Sequence, residues 1–104
     1  QIIAANESDV IGISAISVWE VAKLVEYNRL ELSCSLSEWF KESLNYPGVR
    51  LLELTPEIAI LSTQLPGEFH NDPADQIIVA TAITNRCQLI TSDSKIIQYP
   101  HVFT

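Results

Sequence analysis

An α/β fold, with a central parallel sheet between two layers of helices, is expected from three features of the sequence. Short apolar runs recur at Asp9 to Ser14, where they are β-branched, at Arg50 to Leu54 and at Gln88 to Thr91. Longer segments with helical spacing separate them, and two of these helices open on capping signals, Thr55-Pro56-Glu57 and Asp72-Pro73-Ala74-Asp75. Alternation of this kind builds parallel strands joined by crossover helices, so both faces of the sheet are covered. With 104 residues, 47% hydrophobic content and three glycines, residues 1–104 read as one domain without repeats, low-complexity tracts or linkers.

Each element has a local reason. The opening Gln1-Ile2-Ile3-Ala4-Ala5-Asn6 is expected as the last turns of a helix, and the absence of methionine adds the expectation that the chain begins downstream of its natural start. Val10, Ile11 and Ile13 suit a buried strand ending at Ser14. From Ser14 to Arg29 the spacing turns helical, with Lys23 and Arg29 placed where cations complement the helix dipole. A second helix is expected from Ser35 or Leu36 to Asn45, stopped by Pro47-Gly48, and then a strand from Arg50 to Leu54.

Thr55 as cap and Pro56 at the first helical position start a third helix, ended by Pro66-Gly67. The segment after Asp75, Gln76 to Arg86, is apolar nearly all round and should be the central helix. Gln88 to Thr91 is a short strand, Ser92-Asp93-Ser94 a turn, and His101-Val102-Phe103 a last edge strand.

Composition excludes several classes of function. No run approaches the roughly 20 apolar residues of a membrane span, and the first residues lack a signal-peptide pattern, so a cytoplasmic protein is expected. Cys34 and Cys87 stand far apart without a Cys/His cluster, which indicates neither a zinc site nor a disulfide framework; both are expected as buried, reduced thiols. Thirteen Asp plus Glu against six Lys plus Arg give a net charge of −7 and a pI near 4.5. That charge opposes diffuse attraction to a polyanion, and with it a general nucleic-acid coat protein. A nuclease is still compatible if carboxylates converge on divalent cations, and a basic protein partner is favoured.

Three carboxylates stand where a strand has just ended, and open parallel sheets bind ligands beyond the carboxyl ends of their strands. Glu20 lies in the first turns after Ser14, Asp75 opens the central helix, and Asp93 follows Thr91. Brought together, they would suit Mg2+ or Mn2+, which bind through a few carboxylates while keeping waters and accepting phosphate oxygens. Each has a purely structural alternative. Ser17-Val18-Trp19-Glu20 matches a capping box, Asp72 and Asp75 can serve as cap and dipole partner, and Asp93 can hold a turn. A lone carboxylate in such a place is more often structural, at odds of roughly four to one.

Three motifs in order then resemble those of VapC-type PIN domains. They are Ile13-Ser14-Ala15-Ile16-Ser17-Val18-Trp19-Glu20-Val21-Ala22, His70-Asn71-Asp72-Pro73-Ala74-Asp75-Gln76, and Leu89-Ile90-Thr91-Ser92-Asp93, within a resemblance running from about Ile13 to Tyr99. The resemblance implies a PIN-like α/β/α fold and a ribonuclease toxin of a toxin–antitoxin pair. Its metal site would use Glu20, Asp75 and Asp93 with Mg2+ or Mn2+, supported by Ser14, Ser17, Asp72 and Thr91. It further implies water-driven cleavage of RNA to a 5′-phosphate and 3′-hydroxyl, inhibition by a VapB-like antitoxin, and a homodimer.

Two departures accompany it: no match to the family's first strand, which supplies an aspartate and usually the central strand, and Gln76 in place of an arginine that can hold a carboxylate or phosphate. The first departure leaves a non-catalytic PIN-like interaction module, or an inactive toxin fragment, as the alternative. A phospho-accepting receiver-like domain ranks below it, because Lys95 follows Asp93 by two residues instead of ending a separate strand; a haloacid-dehalogenase-type phosphatase would need an Asp-x-Asp pair, which the sequence lacks. His70 is expected as a packing or hydrogen-bonding residue, and Trp19 and Trp39 as core or dimer-interface residues more than base-stacking ones. A shortened sheet would expose strand edges, so self-association is expected.

Overall fold

The computed structural model describes residues 3–5 and 11–104. In chain order the elements are β1 (Ile3–Ala5), β2 (Ile11–Ser14), α1 (Ala15–Glu26), α2 (Leu36–Leu44), β3 (Val49–Leu52), α3 (Pro56–Ser62), α4 (Pro73–Thr84), β4 (Gln88–Ile90) and α5 (Ser94–Ile97). The strands form one sheet in the order β3-β2-β1-β4. This is the expected α/β fold with one change: the sheet is mixed. β2 and β3 are parallel, with Ile11 opposite Val49 and Ser14 opposite Leu52, whereas β1 is antiparallel to both β2 and β4.

The change begins at the first residues. Ile3, Ala4 and Ala5 are strand and not the end of a helix, because sheet pairing on both sides, Ile3 with Ile13 and with Ile90, outweighs local propensity. The other residues of that opening, and Asp9 and Val10 of the second strand, lie outside the described residues. Because β2 and β4 both oppose β1, β2, β3 and β4 all point the same way. Their carboxyl ends share one edge of the sheet, and α1 and the turn at Asp93 start from that edge.

Capping sets where the helices begin. The side-chain oxygens of Ser35, Thr55 and Asp72 accept from the backbone N–H groups of Glu38, Ile58 and Asp75, at 3.2, 3.2 and 3.1 Å. α1 and α4 end in matching ways. Asn28 and Arg86 adopt left-handed φ values of 57° and 53°. The next N–H reaches back five residues, Arg29 to the Leu24 carbonyl and Cys87 to that of Ala82, as in a Schellman cap. α3 stops at Ser62, short of Pro66-Gly67, where the hydroxyls of Ser62 and Thr63 bond the carbonyls of Ala59 and Ile60 and compete with helix continuation.

α4 is the central helix, as expected: Ile78, Val79, Ala80, Thr81 and Ala82 are all buried. Around it Leu52, Leu89, Ile96, Tyr99 and Val102 complete the core, and α3 packs along α4. Two expectations near the C-terminus are corrected. The turn after Asp93 grows into α5, capped by Asp93 itself. His101 to Phe103 forms no strand; it runs beside β4 through a bond from the Leu89 N–H to the Phe103 carbonyl and one from Gln88 Nε2 to that of Thr104. Both cysteines are free thiols, but only Cys87 is buried; Cys34 sits half-exposed before α2.

Candidate functional site

The shared carboxyl edge of β2 and β4 positions the three carboxylates. Ser14 ends β2 and caps α1, its Oγ accepting from the Ile16 N–H at 3.2 Å. Glu20 is therefore the sixth residue of α1, too deep for a capping box with Ser17, which is itself buried within the helix. The capping explanation for Glu20 is thus excluded, and so is a capping role for Ser17. Asp75 lies in the first turn of α4, and its side chain is only 15% exposed. Asp93 follows β4, and Thr91 holds it there through the bond from the Asp93 N–H to Thr91 Oγ1 at 3.0 Å.

The electrostatics tie these positions together. Burial first, and then the negative charge of Asp75, pushes the Glu20 carboxyl above its ordinary range. Asp75 is raised in turn by burial, by Asp72 and by Asp93, against lowering contributions from His70 and Lys95. Charge felt at one carboxylate from the next means that all three share one field across α1, α4 and the β4 turn.

They do not close into a cage: among the described residues, no three His, Cys, Asp or Glu side chains stand close enough together to hold an ion. A hard cation needs no such cage, since Mg2+ keeps several waters and takes one or two carboxylates with substrate phosphate. Glu20 and Asp75, raised first by burial and then by neighbouring acids, would be relieved by a cation, so the donor set fits Mg2+ or Mn2+.

Two predicted carboxylates also have structural work. Asp72 is the α4 cap, which satisfies the reading of it as a cap more than a ligand. Asp93 Oδ1 accepts from the Lys95 N–H at 2.9 Å, so capping occupies one of its two oxygens while its charge still reaches Asp75.

Three neighbours were undervalued by the sequence. His70 Nε2 lies 3.1 Å from Asp75 Oδ2, off the line of a hydrogen bond, so charge and not a directed N–H bond couples the two. Its ring packs on Phe69 at 4.4 Å between centroids. Gln76, which stands where an arginine was expected, donates from Nε2 to the His70 carbonyl at 3.1 Å and so fixes the loop carrying that imidazole. Lys95 contributes positive charge at Asp75. The signal for all three lay in their closeness to the Asp72 and Asp93 motifs, but only the fold shows which way the loop before α4 folds back.

Comparison with known proteins shows the family. The profile of the family described as PIN domain matches residues 1–102. The chain is 34% identical over 98 residues to a protein named Ribonuclease VapC22 from Mycobacterium tuberculosis (strain ATCC 25618 / H37Rv), a match covering 94% of this chain and 74% of that protein. No solved structure gives a significant match. The chain belongs to the PIN-domain family and, within it, to the VapC-type ribonucleases.

Proposed function

We propose that this protein is a divalent-metal-dependent endoribonuclease, the toxin of a toxin–antitoxin pair, with Glu20, Asp75 and Asp93 as its metal-binding and catalytic carboxylates. The observation that carries this is the meeting of the three groups at the carboxyl edge of the sheet, where Glu20 is raised by burial and then by Asp75, and Asp75 by burial and then by Asp72 and Asp93. Similarity to a protein named as a ribonuclease supports the substrate class.

Glu20 and Asp75 would hold Mg2+ or Mn2+ from the two helices, with Asp93 completing the acidic wall. When bound, the cation supplies an activated water and neutralises charge on the phosphodiester. His70 restrains Asp75 from one side, Thr91 fixes the backbone of Asp93, and Ser14 sets the start of α1 and so the height of Glu20. Lys95, beside Asp75, offers its ammonium to a phosphate oxygen of the strand.

The net charge of −7 suits a basic VapB-like antitoxin tail. A cytoplasmic location is part of the same proposal; among the described residues, no helix is long and apolar enough to cross a membrane. Ile60 on α3 and Phe103, both exposed, supply apolar contact area for a homodimer. The test is cleavage of a labelled single-stranded RNA pool with Mg2+ or Mn2+ and with EDTA, beside Asp75→Asn and Asp93→Asn. Metal-dependent cutting lost in both variants is expected. A folded protein that cuts nothing, with titrated metal neither binding nor stabilising it, would leave an interaction module as the better description.

A further inference from the structure

Trp19 does not sit in the core, one of the two places, core or dimer interface, that its spacing suggests. It is 51% exposed, and it forms the wall between two grooves of about 550 and 410 Å3, each within the range of small-ligand sites. The larger groove runs along α1 past Lys23 to Tyr27; the smaller lies between α1 and the start of α4 at Asp72 and Pro73. Glu20 lines both. A strand whose phosphodiester rests at the carboxylates therefore has these grooves, and Trp19 between them, beside it for its neighbouring nucleotides.

The chemistry of the larger groove is specific. Trp19, Lys23 and Tyr27 recur every four residues and so form one stripe along α1 and its C-cap, about 12 Å long at the helical rise. The Lys23 ammonium stands 6.0 Å from the Trp19 ring centroid and 5.4 Å from that of Tyr27, which is 65% exposed. Its ion pair with Glu26, 2.8 Å long, is solvent-exposed. Covering this stripe with an apolar helix would desolvate an ammonium without giving it a better partner. A single-stranded polynucleotide offers base faces to the two exposed rings and a phosphate that can compete with Glu26 for the exposed ammonium.

We propose that Trp19 and Tyr27, with Lys23 between them, form a stacking platform for the bases of single-stranded RNA that flank the scissile phosphate. This deepens the nuclease reading and rests on it. It requires unpaired bases, so it selects single strands over duplex.

The experiment reads binding without catalysis. In a Trp39→Phe background Trp19 is the one tryptophan, and its emission is followed while an oligouridylate, or the same strand within a duplex, is titrated in EDTA. The single strand should quench Trp19 and the duplex should not. In parallel, anisotropy of the labelled strand should show Trp19→Ala binding roughly five- to 150-fold more weakly than wild type, the equivalent of one stacked base. Trp19→Phe should recover most of that loss.

Absent quenching, equal affinity for Trp19→Ala and wild type, or no binding of the strand at all would overturn the platform. The separate cleavage assay keeps the two ideas apart. Metal-dependent cutting without quenching removes only the platform, and quenching without any cutting removes the nuclease.

Discussion

Gly12, in the middle of β2, faces Leu52 of β3, and a methyl group added there has no room. A Cβ on Gly12 would lie 2.5 Å from Leu52 Cδ1, 2.8 Å from Cγ and 3.2 Å from Cδ2. Non-bonded carbons rest at roughly 3.5–4.0 Å, so the overlap is about 1 Å. Leu52 cannot simply swing away, being 8% exposed and packed in the cluster with Ile78, Val79 and Leu89. Overpacking of this kind costs about 1–3 kcal/mol, which for a domain of this size lowers Tm by roughly 4 to 20 °C.

Thermal unfolding of Gly12→Ala followed by far-ultraviolet circular dichroism measures the loss. The double variant with Leu52→Ala should be more stable than the sum of the single effects by on the order of 1 kcal/mol, because the second change opens the space the first one fills. β2 leads directly into Ser14 and α1, so the same strain should disturb the seat of Glu20. A Gly12→Ala protein melting within about 2 °C of wild type, or a strictly additive cycle, would refute the argument.

The other predictions concern the site and its supports. Because burial and neighbouring acids raise the Asp75 pKa, folding loses stability as pH rises from the ordinary carboxylate range through the raised folded value. Asp75→Asn should therefore melt above wild type near neutral pH in EDTA, with the gap closing in acid; a lower melting temperature at neutral pH would contradict the raised pKa. Asp72→Ala should lose about 1 kcal/mol as the α4 cap disappears, and Asp72→Asn only a few tenths, as denaturant titration would show. Arg86→Gly should gain on the order of 1 kcal/mol by relieving a side chain held at φ 53°, and a destabilised variant would mean that Arg86 makes contacts outweighing that strain.

Much of this was legible in the sequence because the signals were local. Caps at Thr55 and Asp72 marked helix starts, and the all-round apolar character of Gln76 to Arg86 marked α4 as central. What escaped was decided at a distance. Ile3 to Ala5 become a strand only through partners at Ile13 and Ile90, and the C-terminal segment gains a bond to β4 without enough pairing to form a strand.

At the site, the three carboxylates were named from their positions after strands, and the fold supplied what spacing could not. It separated Glu20 from the cap at Ser14, gave Asp93 a cap bond as well as a place in the field, and turned His70 toward Asp75. Of the two places expected for Trp19, core or dimer interface, its exposure rules out the first, because its apolar neighbours in sequence do not enclose it in the fold.

The claim on which the whole account depends is that Glu20, Asp75 and Asp93 act together on one divalent cation. Calorimetric titration of Mn2+ into the wild-type protein, Glu20→Gln, Asp75→Asn and Asp93→Asn tests it most directly. One site in the wild type, weakened at least tenfold in each variant while all four proteins remain folded, is the predicted result. Unchanged Mn2+ affinity in the three variants, or no binding by the folded wild type, would contradict it and leave Asp93 with its capping bond and Glu20 and Asp75 without a shared metal.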